Sequence, residues 1–138
     1  MKASVSMWAI ALSVVLILHG LVHLLYAGHS LRWFELRPGL TWPDGGWAFS
    51  RLVGDEPTRL IAAAALAVVA LGLAAGGLGL IWWPDWGRPV VLGAAALSSV
   101  LYLALWNGRL QALDDQGGVG VLINLALLAA LFLLKEAP

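Results

Sequence analysis

The chain has 138 residues, of which 61% are hydrophobic and only 12% are charged, and its mean hydropathy is +0.87. This composition lies far from that of soluble globular domains and predicts an integral membrane protein. Eight basic and eight acidic residues cancel, which excludes the basic surface that nucleic-acid binding requires. The chain has no cysteine, so disulfides, thiolate metal sites and a cysteine nucleophile are also excluded.

Four apolar stretches predict an all-α protein, a single domain built as an up-and-down bundle of four transmembrane helices. The predicted spans cover residues 6–27, 59–83, 89–107 and 118–135, give or take a residue or two. Lys2 and the apolar run after it also resemble a secretory signal. We expect the run to be retained as a span, because it is long enough to cross the bilayer and the region around Ala27 lacks a small-x-small cleavage pattern.

The segment between the first two predicted spans mixes charged residues with Trp33, Trp42 and Trp47. Amphipathic aromatic rings settle at the level of the lipid head groups, so we expect a long interfacial first loop with a short surface helix within residues 30–36. Residues 82–89 are expected to form a tight turn that makes the second and third spans antiparallel neighbours. Five arginines lie in or beside the first and third loops, which favours a cytoplasmic position for these loops. They are Arg32, Arg37, Arg51, Arg59 and Arg109.

Two histidines lie inside the first apolar stretch. His19 and His23 are four residues apart, which places them on one helix face with their Cβ atoms about 6 Å apart. Ionisable side chains are costly in hydrocarbon and therefore predict a site with a nearby partner. Polar and aromatic side chains of the other spans fall at the same depth, in the half of the membrane next to the loops. The predicted ligand-binding residues are His19, His23, Tyr26, Tyr102, Trp106, Asn107 and Asn124.

This one-sided distribution favours a polar pocket that opens toward the two loops and is covered by the aromatic first loop. The residues leave a second interpretation open. Neutral histidines in a helical bundle also hydrogen-bond to Asn124, Ser98, Ser99 or a backbone carbonyl, and then serve only to hold the helices together.

The histidine pair argues against haem and against a metal ion. Two imidazoles on one helix face cannot occupy the opposite axial positions of a haem iron. Their spacing suits zinc or copper, but no carboxylate or cysteine lies within the spans, and Gly20 stands where the HExxH motif has Glu. No nucleotide motif or nucleophile setting is present either. No cofactor is therefore evident from these residues, and neither haem nor a metal ion is expected.

Gly72 and Gly76 form a GxxxG motif in the second predicted span. Such small-residue surfaces let two helices approach closely. Packing within the bundle is the favoured interpretation, and a homodimer contact stays open as the alternative.

Three segments carry a family resemblance: ILHGLVHLLY, WNGRLQALDDQGG, and Asn124 within VLINLALL. Together they resemble the DoxX-like small bacterial four-helix membrane proteins, near an uncharacterised group whose first helix reads HGLxHL. The resemblance implies a four-helix bundle in the bacterial inner membrane and the association with membrane redox or quinone-linked systems that some DoxX relatives have. It assigns no catalytic residue to this chain.

We therefore expect a small membrane accessory or binding protein whose pocket holds a quinone- or lipid-like molecule. In this hypothesis His19 and His23 hydrogen-bond the head of the ligand, and Asn124 and Tyr102 orient it. One alternative is an intramembrane enzyme that uses a histidine in acid/base or redox chemistry on a lipid-like substrate. Another is a structural subunit of a larger membrane complex.

Overall fold

The computed structural model describes residues 6–111 and 113–133. Helix makes up 77% of the structure and no strand occurs in these ranges, so the predicted all-α fold class is confirmed. The helices are α1 (Met7–Ser30), α2 (Phe49–Val53), α3 (Asp55–Trp82), α4 (Pro84–Leu105) and α5 (Gly118–Leu133), with a 3-10 turn at Asp114–Gln116 before α5.

Three helices, α1, α3 and α4, are long and apolar enough to cross a membrane. They have 24, 28 and 22 residues, with mean hydropathies of 2.2, 2.3 and 1.6. At 1.5 Å per residue even the shortest is about 33 Å long, which exceeds a hydrocarbon core of about 30 Å. This indicates an integral membrane protein. Helix α5 is also apolar, but its described part has 16 residues, and the last two residues of the predicted fourth span lie outside the described ranges.

Two local predictions are wrong. The predicted turn at 82–89 is reduced to Trp83, because α4 already begins at Pro84. Proline suits the first position of a helix, where its fixed φ is favourable and its missing N–H would have no partner anyway. The predicted surface helix at 30–36 is also absent, since α1 continues to Ser30 and the helix of the first loop lies later, at Phe49–Val53.

Helix α3 is the centre of the packing, because both α1 and α4 lie against it along much of its length. Leu16 of α1 lies opposite Gly77, and Gly20 lies opposite Ala70. The Ser13 hydroxyl also donates a hydrogen bond to the Gly77 carbonyl. As residue numbers rise along α1 they fall along α3, so the two helices are antiparallel.

The contact between α3 and α4 depends on glycine. A Cβ atom on Gly76 would lie 2.7 Å from Cγ2 of Val91, and one on Gly72 would lie 3.0 Å from Cβ of Ala94. Gly79 faces Gly87 in the same antiparallel register. The GxxxG motif is therefore turned toward α4, inside the molecule.

The core between these helices is apolar, and so are their outer faces. Buried core side chains include Leu16, Leu66, Val69, Leu73, Val91 and Leu105. Large apolar side chains on the outside include Leu18, Leu25, Val68, Leu71, Val100 and Leu103. Helices that are hydrophobic all round are typical of membrane spans.

We expect Gly76→Ala to lower the free energy of unfolding by about 1–3 kcal/mol, because the added methyl group meets Val91 and the backbone of α4. Gly93→Ala is the matched control, since a Cβ atom there meets no atom within 4 Å. Unfolding in detergent, followed by helical circular dichroism, should show a lower midpoint for Gly76→Ala only. Equal midpoints for the two variants would contradict this packing.

Candidate functional site

Four buried polar side chains from three helices form a closed ring of hydrogen bonds. His19 donates from Nε2 to Oδ1 of Asn124 at 2.8 Å, and Asn124 donates from Nδ2 to Oγ of Ser98 at 2.8 Å. Ser98 donates to Nε2 of His23 at 2.6 Å, and His23 donates from Nδ1 to the carbonyl oxygen of His19 at 2.8 Å. We call these four residues the polar ring. It joins α1 to α4 and α5.

Donor and acceptor chemistry fixes where the protons of the polar ring lie when both imidazoles are neutral. The Asn124 Oδ1 and the His19 carbonyl only accept, so Nε2 of His19 and Nδ1 of His23 carry the protons. Nε2 of His23 is then an acceptor, and the Ser98 hydroxyl donates a hydrogen bond to it. The two imidazoles are therefore different tautomers. With both of them neutral, the hydrogen bonds of the polar ring close without a partner from outside it.

The polar ring lies between the middle of the bundle and its loop-side end. At 1.5 Å per residue, its members are roughly 9–16 Å from the ends of their helices next to the loops. The His19 side chain is 5% exposed, and His23, Ser98 and Asn124 are fully buried. A polar cluster at such depth must be satisfied inside the protein, because unpaired polar groups in an apolar medium are costly.

An aromatic cluster covers the loop-side face of the polar ring. Tyr26, Trp42 and Tyr102 contact one another, with ring centroids 5.3 Å apart for Tyr26–Trp42, 5.6 Å for Tyr26–Tyr102 and 5.8 Å for Trp42–Tyr102. The ring of Tyr102 also lies 5.7 Å from that of His23. Trp42 comes from the first loop and is only 3% exposed, so this loop enters the bundle and does not merely lie on it.

Ion pairs hold the first loop in this position. Asp44 accepts two hydrogen bonds from Arg59 of α3, at 2.7 and 2.5 Å, and lies 2.8 Å from Arg32. Arg32 also donates to the carbonyl oxygen of Thr41 at 2.7 Å. Partial burial acts to raise the pKa of the Asp44 carboxyl, but Arg59 and Arg32 together outweigh it and hold this pKa below its ordinary value.

The end of the first loop is fixed to α4 by Trp47. Its indole nitrogen donates to the carbonyl oxygen of Leu103 at 2.7 Å. Its backbone N–H donates to the carbonyl oxygen of Trp106 at 2.9 Å. The loop therefore bridges α1, α3 and α4 at the same end of the bundle.

Two cavities of similar size lie beside this assembly. The apolar cavity, of about 430 Å³, lies between the end of α4 and the start of α5, with Tyr102, Leu103, Trp106, Leu113, Val119 and Leu122 among its lining residues. The polar cavity, of about 420 Å³, is lined by Thr41, Asp44, Gly45, Arg51, Asn107 and Arg109. His19, His23 and Asn124 line neither of them.

The structure brings together most of the residues that the sequence singled out. His19, His23 and Asn124 belong to the polar ring, and Tyr26 and Tyr102 to the aromatic cluster. Trp106 lies at the apolar cavity and Asn107 at the polar one. Direct contact of the histidines with a ligand stays a prediction, since their hydrogen bonds in the structure are made within the bundle.

Sequence reasoning missed two residues that shape the site. Trp42 is buried, whereas Trp33 and Trp47 are 76% and 54% exposed, and nothing in their local sequence distinguishes the three. Asp44 appears in the sequence as one loop carboxylate among several. Ser98 was expected only as one of several alternative hydrogen-bond partners for the histidines.

No group of three or more potential metal ligands comes together within residues 6–111 and 113–133. The chain matches no protein-family model, no curated protein and no solved structure. Its function must therefore be argued from the geometry of the site alone.

We expect Ser98→Ala to lower the free energy of unfolding by about 1–3 kcal/mol, because it leaves polar atoms of His23 and Asn124 without a partner. Ser99→Ala is the matched control and should change stability by less than about 0.5 kcal/mol, since the Ser99 hydroxyl bonds only to the Ala95 carbonyl of its own helix. Unfolding in mixed micelles measures both. Equal effects would show that the polar ring does not stabilise the bundle.

The Asp44 ion pairs predict loss of stability in acid. The folded state lowers the pKa of the Asp44 carboxyl. The ion pairs therefore contribute their full stabilisation above the pKa of the unfolded state, about 3.9, and this stabilisation is lost as the pH falls through the lower pKa of the folded state. Asp44→Asn should reduce stability at neutral pH. It should also make stability depend less on pH below about pH 4. Melting temperatures measured from pH 7 to pH 3 test this, and parallel profiles for the two proteins would disprove it.

Proposed function

We propose that the chain is a four-helix protein of the bacterial inner membrane, with α5 as the fourth span. Helix α5 runs antiparallel to α4, since Asn124 pairs with Ser98 near one end and the Leu131 carbonyl accepts a hydrogen bond from Arg88 near the other. The arginine-rich loops support a cytoplasmic position for the loop side. The resemblance to DoxX-like proteins agrees with this arrangement and stays part of the proposal.

We further propose that the protein binds an amphiphilic molecule, a lipid or a quinone, in the apolar cavity. The observation that carries this proposal is the cavity itself. Its volume of about 430 Å³ falls within the roughly 300–1,000 Å³ typical of ligand sites. Leu103 and Leu122 of its lining are 57% and 67% exposed, so the cavity opens on the outer surface of α4 and α5, where an acyl or isoprenoid chain can enter from the bilayer.

The floor of the apolar cavity is held rigidly. Tyr102 is packed between His23 and the start of α5, where a Cβ atom on Gly117 would overlap the tyrosine ring. Gly117 has φ +90°, a conformation that favours glycine, so both the turn and the close approach require this residue. In this proposal the polar ring fixes α1, α4 and α5, and therefore Tyr102, in place, and contact of its histidines with the head of the ligand stays a separate prediction.

The structural-subunit alternative has less support. In that hypothesis the chain packs against its partner through Gly72 and Gly76, but these glycines face Ala94 and Val91 of α4. The enzyme alternative has no specific support from the geometry, since the histidines hydrogen-bond within the bundle.

We expect Leu122→Trp to reduce the amount of bound amphiphile by at least half, because the larger side chain fills the mouth of the cavity. Leu125→Trp is the matched control, one turn further along α5, similarly exposed at 53% and outside the lining. Native mass spectrometry of gently extracted protein, before and after addition of phosphatidylglycerol or a decyl-chain quinone, measures the occupancy. Equal loss in both variants, or no bound mass in the parent protein, would refute the proposal.

A further inference from the structure

The apolar and polar cavities lie on either side of one short segment after α4. Trp106 lines the apolar cavity and the next residue, Asn107, lines the polar one. The backbone N–H of Asn107 donates to Oε1 of Gln116 at 3.1 Å, and Gln116 again lines the apolar cavity. A single amphiphile can therefore reach both cavities by lying across this segment.

The polar cavity contains two guanidinium groups that are available to a ligand. Within the described ranges, the side chains of Arg51 and Arg109 make no hydrogen bond or ion pair, and both are exposed. The carboxylate that lines the cavity, Asp44, is already engaged by Arg32 and Arg59. Arg51 and Arg109 thus remain as uncompensated positive charges at the cavity wall.

The charges that line the polar cavity also favour an anion. Its lining residues carry two guanidinium groups, those of Arg51 and Arg109, and one carboxylate, that of Asp44. Asp55 is turned to the loop backbone, where it accepts the N–H of Gly45 at 2.9 Å. The lining of the polar cavity is net positive although the chain as a whole is neutral, whereas the lining of the apolar cavity includes one carboxylate, that of Asp114.

We propose that Arg51 and Arg109 bind the phosphate of an anionic amphiphile whose apolar chain lies in the neighbouring cavity. Guanidinium groups bind phosphate oxygens through two parallel hydrogen bonds, which a point charge cannot do. The site lies at the loop-side ends of α3 and α4, the level at which phospholipid head groups are found, and an anionic leaflet attracts arginine there. This inference rests on the proposed function and gives its ligand a chemical class, an anionic phospholipid.

The test compares three probes on the full-length protein in neutral detergent: phosphatidylglycerol, phosphatidylcholine and inorganic phosphate. Titration by native mass spectrometry should show phosphatidylglycerol binding at least about ten-fold more tightly than phosphatidylcholine. Arg51→Gln and Arg109→Gln should each weaken phosphatidylglycerol binding about ten-fold, equivalent to about 1.4 kcal/mol. Arg51→Lys and Arg109→Lys should give intermediate affinities, because the charge is kept and the paired hydrogen bonds are lost.

Arg37→Gln is the matched control. It removes one positive charge from the same end of the bundle, but Arg37 pairs with Asp115 at the surface and does not line the polar cavity. Its phosphatidylglycerol affinity should stay within about two-fold of the parent protein, since salt screens an exposed charge that does not line the site. Melting temperatures of all variants exclude unfolding as the cause of a loss.

The remaining outcomes separate the two proposals. Equal affinity for both phospholipids, with binding still blocked by Leu122→Trp, would overturn the anionic site and leave the proposed function standing. Binding of inorganic phosphate that depends on Arg51 and Arg109, without any phospholipid, would support the anion site with a free phosphate as its source and overturn the lipid assignment. An effect of Arg37→Gln equal to those of Arg51→Gln and Arg109→Gln would reduce the site to general surface charge and overturn it.

Discussion

The constraint on which this structure depends is that polar groups buried among apolar helices must find their hydrogen-bond partners within the protein. His19, Ser98, His23 and Asn124 meet it by bonding to one another and to one backbone carbonyl. A closed ring of this kind is directional, since each donor has one suitable acceptor. It therefore fixes the rotation and the depth of α1, α4 and α5 relative to one another, which apolar contacts alone specify weakly.

The helices of the bundle contact one another in two different ways. Where α3 meets α1 and α4, glycine and alanine let the backbones come close, as at Gly20 and Gly76. Between α1 and the α4–α5 pair, such extended backbone contact is missing from the described part of the chain, and imidazole, amide and phenol side chains fill the space. Trp42 of the first loop enters this space at the loop-side end, where it contacts Tyr26 and Tyr102. The apolar cavity lies elsewhere, between the end of α4 and the start of α5.

The first loop is part of the site and not a simple connection. Trp42 contributes a buried ring, and Asp44 ties the loop to α3 through Arg59. This arrangement places uncompensated arginines next to an apolar cavity at one level of the bundle. An amphiphile with an anionic head matches both features at once, which neither cavity would indicate alone.

The sequence by itself determined the membrane class, the all-helical fold, three of the four predicted spans and the positions of the polar residues along their helices. These follow from composition, from apolar runs and from a fixed rise per residue, which are properties of the local chain. Only the tertiary structure decided that Ser98 and not Ser99 completes the ring, that Trp42 and not Trp33 is buried, and that Asn107 and Trp106 line different cavities. Neighbouring residues of the same type have the same local signal, and the rotation of each helix and the path of the loop, which choose between them, depend on contacts between distant segments.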